Sequence, residues 1–320
     1  MPGASEPHVF DFDFSPRAIP SRINVLVGLN GTGKTQSMAA LARLLSRVYS
    51  SDDAEHPDVH FDIQDIIEPR PSVYGVVAIS FSAFDDFIVP TSITSDRFKY
   101  VYCGLTSLTG NVTSRSEIVD TEVAARFLRV SPDERFRAVQ PLLSTLDPEF
   151  DWERAAVSGA IPFTELSAGQ RIVLSVSSEL INNVSNRVLV LMDEPEIHLH
   201  PQLLTGLLAW TEDLLAERNS FAIVATHSPI VVQQALASSV FILRRSGSHP
   251  SIGRPSFETF GANLTEIVRE VFEDRAGDRS YQNVLRQLWE EYGSVEEVSA
   301  LFGGRLGLNA EIYLRSLESR

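Results

Sequence analysis

Hydrophobic and polar positions along the chain alternate between the period of strands and the period of helices. A short apolar run at 23–27 leads directly into a glycine-rich loop, and apolar residues at 36–49 then recur at helical spacing. The same pattern predicts further strands at 73–81, 99–103, 188–192, 221–226 and 240–243, and helices at 168–183, 201–218, 264–273, 281–292, 295–302 and 309–318. Strands that alternate with helices predict an α/β sheet protein.

Other segments carry less regular patterns. Residues 10–14 alternate Phe and Asp, which predicts a half-buried strand. Residues 51–72 are polar with several prolines and predict a loop or short hairpin, whereas 116–160 predicts irregular helices that prolines interrupt. In the helix at 201–218, the apolar face is predicted to consist of Leu203, Leu207, Trp210 and Leu214.

The composition changes the expected partners more than the expected fold. The chain has 320 residues and a formal net charge of −15, which suits one elaborated domain or two intimate ones and disfavours free nucleic acid as a ligand. Nucleic acid is therefore expected only within a larger complex. A single cysteine, Cys103, excludes an internal disulfide and is expected to be a packing residue. No apolar stretch matches a membrane span and the N-terminus lacks a signal-peptide pattern, which predicts a cytoplasmic protein without a membrane partner.

The glycine-rich loop matches the P-loop pattern. The segment Gly28-Leu-Asn-Gly-Thr-Gly-Lys-Thr35 has its glycines and lysine at the required spacing, between a predicted strand and a predicted amphipathic helix. Such a loop lets backbone amides surround phosphate oxygens, with Lys34 on the β- and γ-phosphates and Thr35 on Mg²⁺. The predicted nucleotide-binding residues here are Asn30, Gly31, Thr32, Gly33, Lys34, Thr35 and Gln36.

A buried strand that ends in acidic residues forms the second motif. Val188–Met192 is continuously apolar and is followed by Asp193 and Glu194, the Walker-B arrangement. Asp193 is predicted to hold Mg²⁺, directly or through water, and Glu194 to act as general base on the attacking water. A turn-forming acid pair is the alternative, and it is disfavoured beside a P-loop.

Two further motifs have both a structural and a functional interpretation. In Leu-Ser167-Ala-Gly169-Gln170, the serine can cap the following helix while its hydroxyl and the helix amides face a phosphate. His227 follows the strand at 221–226 and is either a structural histidine or a contact for the γ-phosphate.

Along the chain the four motifs follow the order P-loop, signature, Walker-B strand and His227, and they resemble those of ABC ATPases, whose signature is usually written LSGGQ. The resemblance implies a nucleotide sandwiched between two copies of the chain, with Ser167, Gly169 and Gln170 contacting the ATP held by the opposite copy. It also implies that His227 contacts the γ-phosphate and acts with Glu194 and Lys34 in catalysis. ATP and Mg²⁺ are the implied cofactors.

The segment DEPEIHLHP at 193–201 resembles a narrower group, the ABC-type ATPases of OLD nucleases and of Gabija- and Septu-type bacterial antiphage systems. The runs RINVLVGLNGTGKTQ, ISFSAFDDF, ATHSPIVVQ and FGANLTEIVREVF are similar to that group too, so the resemblance covers most of 9–272. It implies a separate effector partner, a nuclease or toxin, that ATP binding and hydrolysis would switch. A homodimer is expected, with a higher oligomer left open.

Several features depart from these families. A Q-loop glutamine is missing after the strand at 73–81, and Ser82 is a candidate replacement. The interval between Thr35 and Leu166 suits a β subdomain and a helical lid but is too short for long coiled-coil arms. The acids at 270–278 are expected to form a solvated face rather than a nuclease centre. His198 and His200 are expected to lie in a turn, with His200 at a dimer interface, rather than in a metal site.

The predicted architecture is therefore an ABC-type P-loop ATPase head, with a mixed β core and an antiparallel β subdomain. The core is expected over 1–115 and 165–250, the helical lid over 116–164 and a helical C-terminal region over 251–320. Two other functions remain open at this point: the ATPase subunit of an ABC transporter, and a nucleotide-gated scaffold with little turnover. The histidine at position 200 and the missing glutamine speak against the transporter.

Overall fold

The computed structural model forms two compact units, Met1–Phe272 and Glu273–Arg320. It describes residues 9–15, 19, 21–46, 67, 72–80, 87, 98–104, 142, 144, 166–246, 249–272 and 281–318. Within this part of the chain, no helix is long and apolar enough to span a bilayer.

One sheet organises the first unit. Its strands are β1 (Ile23–Val27), β2 (Gly75–Ser80), β3 (Lys99–Gly104), β4 (Val188–Asp193), β5 (Phe221–Thr226), β6 (Val240–Ser246) and β7 (His249–Gly253). They lie in the order β3-β2-β4-β5-β1-β6-β7. Only the β6–β7 pair is antiparallel among these strands, so the carboxyl ends of the six strands β1 to β6 meet at one edge.

The helices of the first unit are α1 (Lys34–Ser46), α2 (Ala168–Asn183), α3 (Pro201–Glu217), α4 (Pro229–Gln233) and α5 (Leu264–Phe272), with a 3₁₀ turn at Ala237–Ser239. They cover both faces of the sheet, which is why β4 reads as a continuous apolar run. Leu189 and Leu191 pack in the cluster that contains α1, whereas Val190 and Met192 pack in the cluster that contains α2 and α3. Continuing this alternation places the side chain of Asp193 on the α1 face.

The second unit is a small helical group of its own. Its helices are α6 (Tyr281–Tyr292), α7 (Val295–Leu301) and α8 (Leu308–Glu318). A core of four buried side chains joins them: Leu285, Val295, Val298 and Leu314. The Ser294 side chain caps α7 by accepting a hydrogen bond from the N–H of Glu297.

The structure confirms the α/β class and most of the predicted elements, with two corrections. The predicted strand at 10–14 is wrong: the segment pairs with no described strand, and its period of two reflects phenylalanines laid against the α1-side core. Phe12 meets Phe241 at a ring-centroid distance of 4.9 Å and Phe14 meets Phe221 at 4.8 Å. On α3, Leu204 is buried and Leu203 only half-buried, so the apolar face is rotated from the predicted one.

Three short elements were not predicted, namely β7, α4 and the 3₁₀ turn, and other predicted elements fall outside the described residues. β7 was not predicted, because its sequence His-Pro-Ser-Ile-Gly has no apolar run and is held by antiparallel pairing with β6. The loop or hairpin at 51–72 and the helices at 116–160 lie almost wholly outside the described part of the chain. The predicted helical lid also lies almost wholly outside the described residues. The same holds for most of the interval in which an antiparallel β subdomain was expected.

Candidate nucleotide-binding site

The P-loop connects β1 to α1 and depends on glycine for space at one position and for its backbone conformation at two others. A Cβ on Gly28 would lie 2.3 Å from the carbonyl oxygen of Leu243 in β6. Gly31 and Gly33 have positive φ values of 78° and 95°, which favour glycine. The loop therefore turns tightly enough to direct the first amides of α1 toward its own interior, where an anion would be stabilised.

Lys34 lies inside this loop. Its side chain is buried, and Nζ donates hydrogen bonds to the carbonyl oxygens of Gly28 at 3.0 Å and Leu29 at 3.2 Å. Burial lowers the pKa of the Lys34 ammonium, and the nearby carboxylates of Glu194, Asp193 and Glu196 oppose that shift. The ammonium is thus held in the loop among acidic groups, and a phosphate would offer it stronger acceptors than two carbonyls.

The other predicted P-loop residues occupy two kinds of position. Thr32 is buried, and its hydroxyl donates to the carbonyl of Leu29 at 2.8 Å, which closes the loop on itself. Asn30, Gly31 and Gln36 are exposed, on the outer side of the loop and the first turn of α1.

Thr35 and Asp193 meet at the point where α1 begins and β4 ends. The Thr35 hydroxyl lies 3.0 and 2.9 Å from the two carboxylate oxygens of Asp193, to which it can donate its hydrogen. Asp193 is 2% exposed. A hydroxyl and a carboxylate side by side are the hard oxygen ligands that Mg²⁺ takes in phosphate sites, so the donor set fits this ion.

Ser80 is a neighbour of this pair that sequence reasoning overlooked. It is fully buried at the end of β2 and is the register partner of Asp193 on the adjacent strand. Parallel neighbours in register direct their side chains to the same face, so Ser80 also faces the α1 side. Ser82, the candidate replacement for the missing glutamine, lies outside the described residues.

Glu194 turns the chain sharply after β4. Its φ is +50°, a left-handed conformation that is rare for residues with a side chain, and its N–H donates to the carbonyl of Ala225 at 2.8 Å. The Glu194 side chain is 18% exposed, and its Oε1 lies 3.5 Å from Nδ1 of His227. Backbone geometry therefore places this carboxylate beside the end of β5 while leaving part of it open to solvent.

His227 begins the loop after β5, and a second carboxylate holds it. Nδ1 lies 3.2 Å from Oε1 of Glu196, and the same oxygen accepts hydrogen bonds from the His227 N–H at 2.8 Å and the Thr226 hydroxyl at 2.6 Å. Sequence reasoning missed Glu196. The available signal was a third acid two residues after the Walker-B pair, in DEPE.

The signature residues form a separate group. The Ser167 side chain accepts from the N–H of Gln170 at 3.3 Å, and the Gln170 side chain accepts from the N–H of Ser167 at 2.7 Å, which is a capping box at the start of α2. Ser167 is exposed. A Cβ on Gly169 would lie 3.2 Å from the Leu203 side chain and 3.3 Å from the carbonyl of His198. The structure thus shows the capping role of Ser167, and its role toward a phosphate stays a prediction.

The two histidines after β4 have different tasks. His200 is the N-cap of α3, where Nδ1 accepts from the N–H of Gln202 at 3.3 Å. His198 has a positive φ of 73° and is exposed, so it lies at the outer edge of the turn. The predicted interface role of His200 stays a prediction beside this capping contact.

Comparisons with known proteins agree with this geometry at the level of a broad class. A family model whose description reads "AAA domain, putative AbiEii toxin, Type IV TA system" matches residues 117–233. The matched segment contains the signature residues, the acids after β4 and His227. The match supports a P-loop ATPase of the ABC type, as the order of the motifs predicts.

The individual relatives are either longer than this chain or low in sequence identity to it. Protein ea59 of Escherichia phage lambda is 30% identical over 345 aligned residues, which cover 96% of this chain and 64% of that protein. The chain therefore spans less than two thirds of that relative's length. Among solved structures, the ADP conformation of MJ1267, an ATP-binding cassette of an ABC transporter, is 14% identical, with 80% of this chain and 85% of that chain covered and a TM-score of 0.36. The SmcHead bound to the C-winged helix domain of ScpA is 13% identical, with 72% and 89% covered and a TM-score of 0.37.

Proposed function

We propose that the chain binds Mg²⁺-ATP and hydrolyses it as an ABC-type ATPase. The observation that carries the proposal is the contact between Thr35 and Asp193 beside the buried Lys34. Residues from a loop and from a distant strand converge there, and the resulting set of one ammonium, one hydroxyl and one buried carboxylate suits a metal-bound triphosphate.

Each residue would contribute a separate part of the reaction. Lys34 would leave the carbonyls of the P-loop and donate to the β- and γ-phosphates, with the α1 amides. Thr35 and Asp193 would hold Mg²⁺, which supplies charge neutralisation for the triphosphate. Glu194 would accept a proton from the water whose oxygen attacks the γ-phosphorus, while the bond from that phosphorus to the β–γ bridging oxygen breaks and ADP leaves. His227 would donate to the γ-phosphate.

The second half of the site is proposed to come from another copy of the chain. Ser167, Gly169 and Gln170 are grouped at the N-terminus of α2, where backbone amides and an exposed hydroxyl suit a phosphate. In an ATP-sandwich homodimer they would close over the nucleotide bound by the partner. ATP would then stabilise the dimer and hydrolysis would release it, since γ-phosphate contacts exist in only one state.

The decisive test of this function uses Glu194→Gln. Because the variant keeps the size of the side chain but loses the base, we expect turnover to fall by about 10²–10⁴-fold while ATP affinity is kept. Light scattering should show ATP-driven dimers that persist in the variant and dissociate in the wild type as ATP is consumed. Wild-type protein that neither binds nor hydrolyses ATP would contradict the proposal, and turnover without any change of mass would contradict the sandwich alone.

We further propose that the ATPase cycle switches a separate nuclease or toxin in bacterial antiphage defence. The support is the toxin description of the matching family and the similarity to a phage protein. Plaque counts on bacteria that carry the gene, compared with those that carry its Lys34→Ala form, test this role. Equal phage yields in both strains would count against it.

A further inference from the structure

Glu196 has no role in the reaction described so far, yet one of its oxygens contacts three groups at the end of β5. Its Oε1 is the common acceptor for the Thr226 hydroxyl and the His227 N–H, and it also lies 3.2 Å from the His227 ring. Thr226 in turn accepts from the N–H of Ser228 at 2.9 Å. A single carboxylate oxygen therefore fixes both the backbone and the ring of His227.

The second oxygen of Glu196 shows that its hydrogen bonds at the end of β5 do not fully explain this residue. The side chain is 10% exposed, and Oε2 is buried without a hydrogen-bond partner among the described residues. One neutral oxygen would satisfy the two hydrogen bonds at the end of β5, whereas burying a carboxylate costs solvation free energy. The two hydrogen bonds therefore do not by themselves require the negative charge, which acts on the His227 ring 3.2 Å away and on the nearby Lys34 ammonium.

Two carboxylates lie beside the same ring nitrogen. Nδ1 of His227 is 3.2 Å from Glu196 and 3.5 Å from Glu194, and carboxylates can only accept hydrogen bonds. This arrangement favours a hydrogen on Nδ1 and leaves the Nε2 edge as the part of the ring available to a ligand. The His227 side chain is 43% exposed, so that edge can be reached from solvent.

From this geometry, and resting on the proposed ATPase function, we propose that Glu196 is a positioning residue. It holds the His227 ring so that Nε2 faces the γ-phosphate. It acts through His227 and does not touch the nucleotide. The interaction therefore contributes to binding ATP and to turnover, and contributes nothing to binding ADP, which lacks the γ-phosphate.

The test compares Glu196→Gln with His227→Ala and with the double variant. The glutamine keeps an oxygen for the Thr226 hydroxyl and the His227 N–H but removes the charge that holds the ring. We expect Glu196→Gln to lower ATP turnover by about 10- to 100-fold, by analogy with the effect of removing residues that orient metal-bound histidines. The double variant should be no slower than His227→Ala, because both changes remove the same interaction.

Glu212 offers a matched control. Its Oε1 accepts hydrogen bonds from the N–H groups of Ser21 at 2.7 Å and Arg22 at 2.8 Å, so it also joins two backbone regions through one carboxylate oxygen. Glu212→Gln should leave turnover and the ratio of ATP to ADP affinity unchanged. Glu196→Gln should lower the ATP affinity, leave the ADP affinity unchanged and melt within about 2 °C of the wild type.

Three results would overturn the proposal: additive losses in the double variant, an equal fall in ATP and ADP affinity, or turnover as high as that of Glu212→Gln. A spectroscopic measurement separates this proposal from the proposed function. In nucleotide-free protein, imidazole ¹H–¹⁵N spectra should show a hydrogen on Nδ1 of His227 that is lost or strongly shifted in Glu196→Gln. If the wild type fails to hydrolyse ATP but this signal is present, the ATPase function fails and the positioning contact stands. An Nδ1 without hydrogen rejects the contact itself.

Discussion

The P-loop region and the signature region are both helix N-termini, but they are prepared for a ligand in different ways. At α1, Lys34 and Asp193 are buried and hydrogen-bonded to other parts of the site. At α2, Ser167 is exposed and its hydrogen bonds are exchanged with Gln170, three residues away. The first region is formed by distant segments that the fold of one chain brings together. The second is a locally capped helix N-terminus that is exposed to solvent. The difference is what the proposed two-chain site requires, in which one chain would hold the metal and phosphates and the second chain would complete the nucleotide site.

The largest effect is expected at Lys34, and the chain offers a clean control. Its two lysines are Lys34 and Lys99, and Lys99 is exposed, where Nζ donates to the Asn183 side chain at 2.9 Å. Lys34→Ala removes the cation of the P-loop, so turnover should fall by about 10²-fold or more, whereas Lys99→Ala should retain it. Steady-state ATPase assays measure both. Equal losses of turnover in the two variants would show that Lys34 contributes only to the overall charge of the protein. The P-loop would then not be the prepared phosphate site that the comparison assumes.

A smaller effect is expected at Ser167, where structure and function can be separated. Loss of an N-cap destabilises a protein by about 1 kcal/mol, and Ser294→Ala at the cap of α7 provides the same loss away from the site. We expect Ser167→Ala to lower turnover by about tenfold while ATP affinity of the separate chain stays unchanged.

Mixing experiments sharpen this prediction. Ser167→Ala chains mixed with Lys34→Ala chains can form one site with an intact P-loop and an intact signature, so the mixture should be more active than either variant alone. A mixture no more active than its components would remove the second chain from the mechanism and leave Ser167 as a cap.

The smallest expected effect is a decrease of ATP affinity at alkaline pH. Burial lowers the pKa of Lys34 from its ordinary value of 10.5, so the ammonium is present below the lowered pKa and is lost as pH rises through it. ATP affinity of the free protein should therefore decline a few-fold as pH is raised to about 10, earlier than for an exposed lysine. The stability of the fold depends on pH in the opposite direction. The unfolded chain binds this proton more tightly, so the group makes stability rise with pH between the lowered pKa and 10.5.

Titration calorimetry across this pH range provides the measurement. Lys34→Arg is the control, because a guanidinium stays charged at these pH values. An affinity that is constant up to about pH 10 in the wild type would contradict the expected loss of the ammonium.

The sequence leads to the contact between Thr35 and Asp193 because chemistry and local spacing coincide there. The P-loop spacing fixes which residue follows the glycines, and the apolar run of β4 fixes where Asp193 emerges, so the convergence of Thr35 and Asp193 follows from two local patterns and one parallel sheet. The helices and strands of the core are predictable for the same reason, because their periods reflect burial on one or both faces. The phenylalanines at 10–14 have the strand period without strand pairing, which periodicity cannot distinguish.

Contacts between separate loops are the part that the sequence does not reveal. Glu196 reaches the loop after β5 because β4 and β5 are neighbours in the sheet, a fact of strand order rather than of spacing. Ser80 lies beside Asp193 for the same reason. The cap at His200 depends on the direction of a single side chain, and β7 depends on β6 as its pairing partner. The role of each of these residues or strands can be recognised only when its neighbour in the folded structure is known.

The left-handed backbone at Glu194 and His198 has an evolutionary consequence. Both residues carry side chains at φ values of +50° and +73°, where glycine would be free of steric strain. Each costs on the order of 1 kcal/mol relative to a relaxed conformation. Selection for stability alone would therefore favour glycine at these two positions, and in particular would discard the carboxylate beside β5. The conformational cost of a carboxylate at position 194 is therefore consistent with the base role proposed for this side chain.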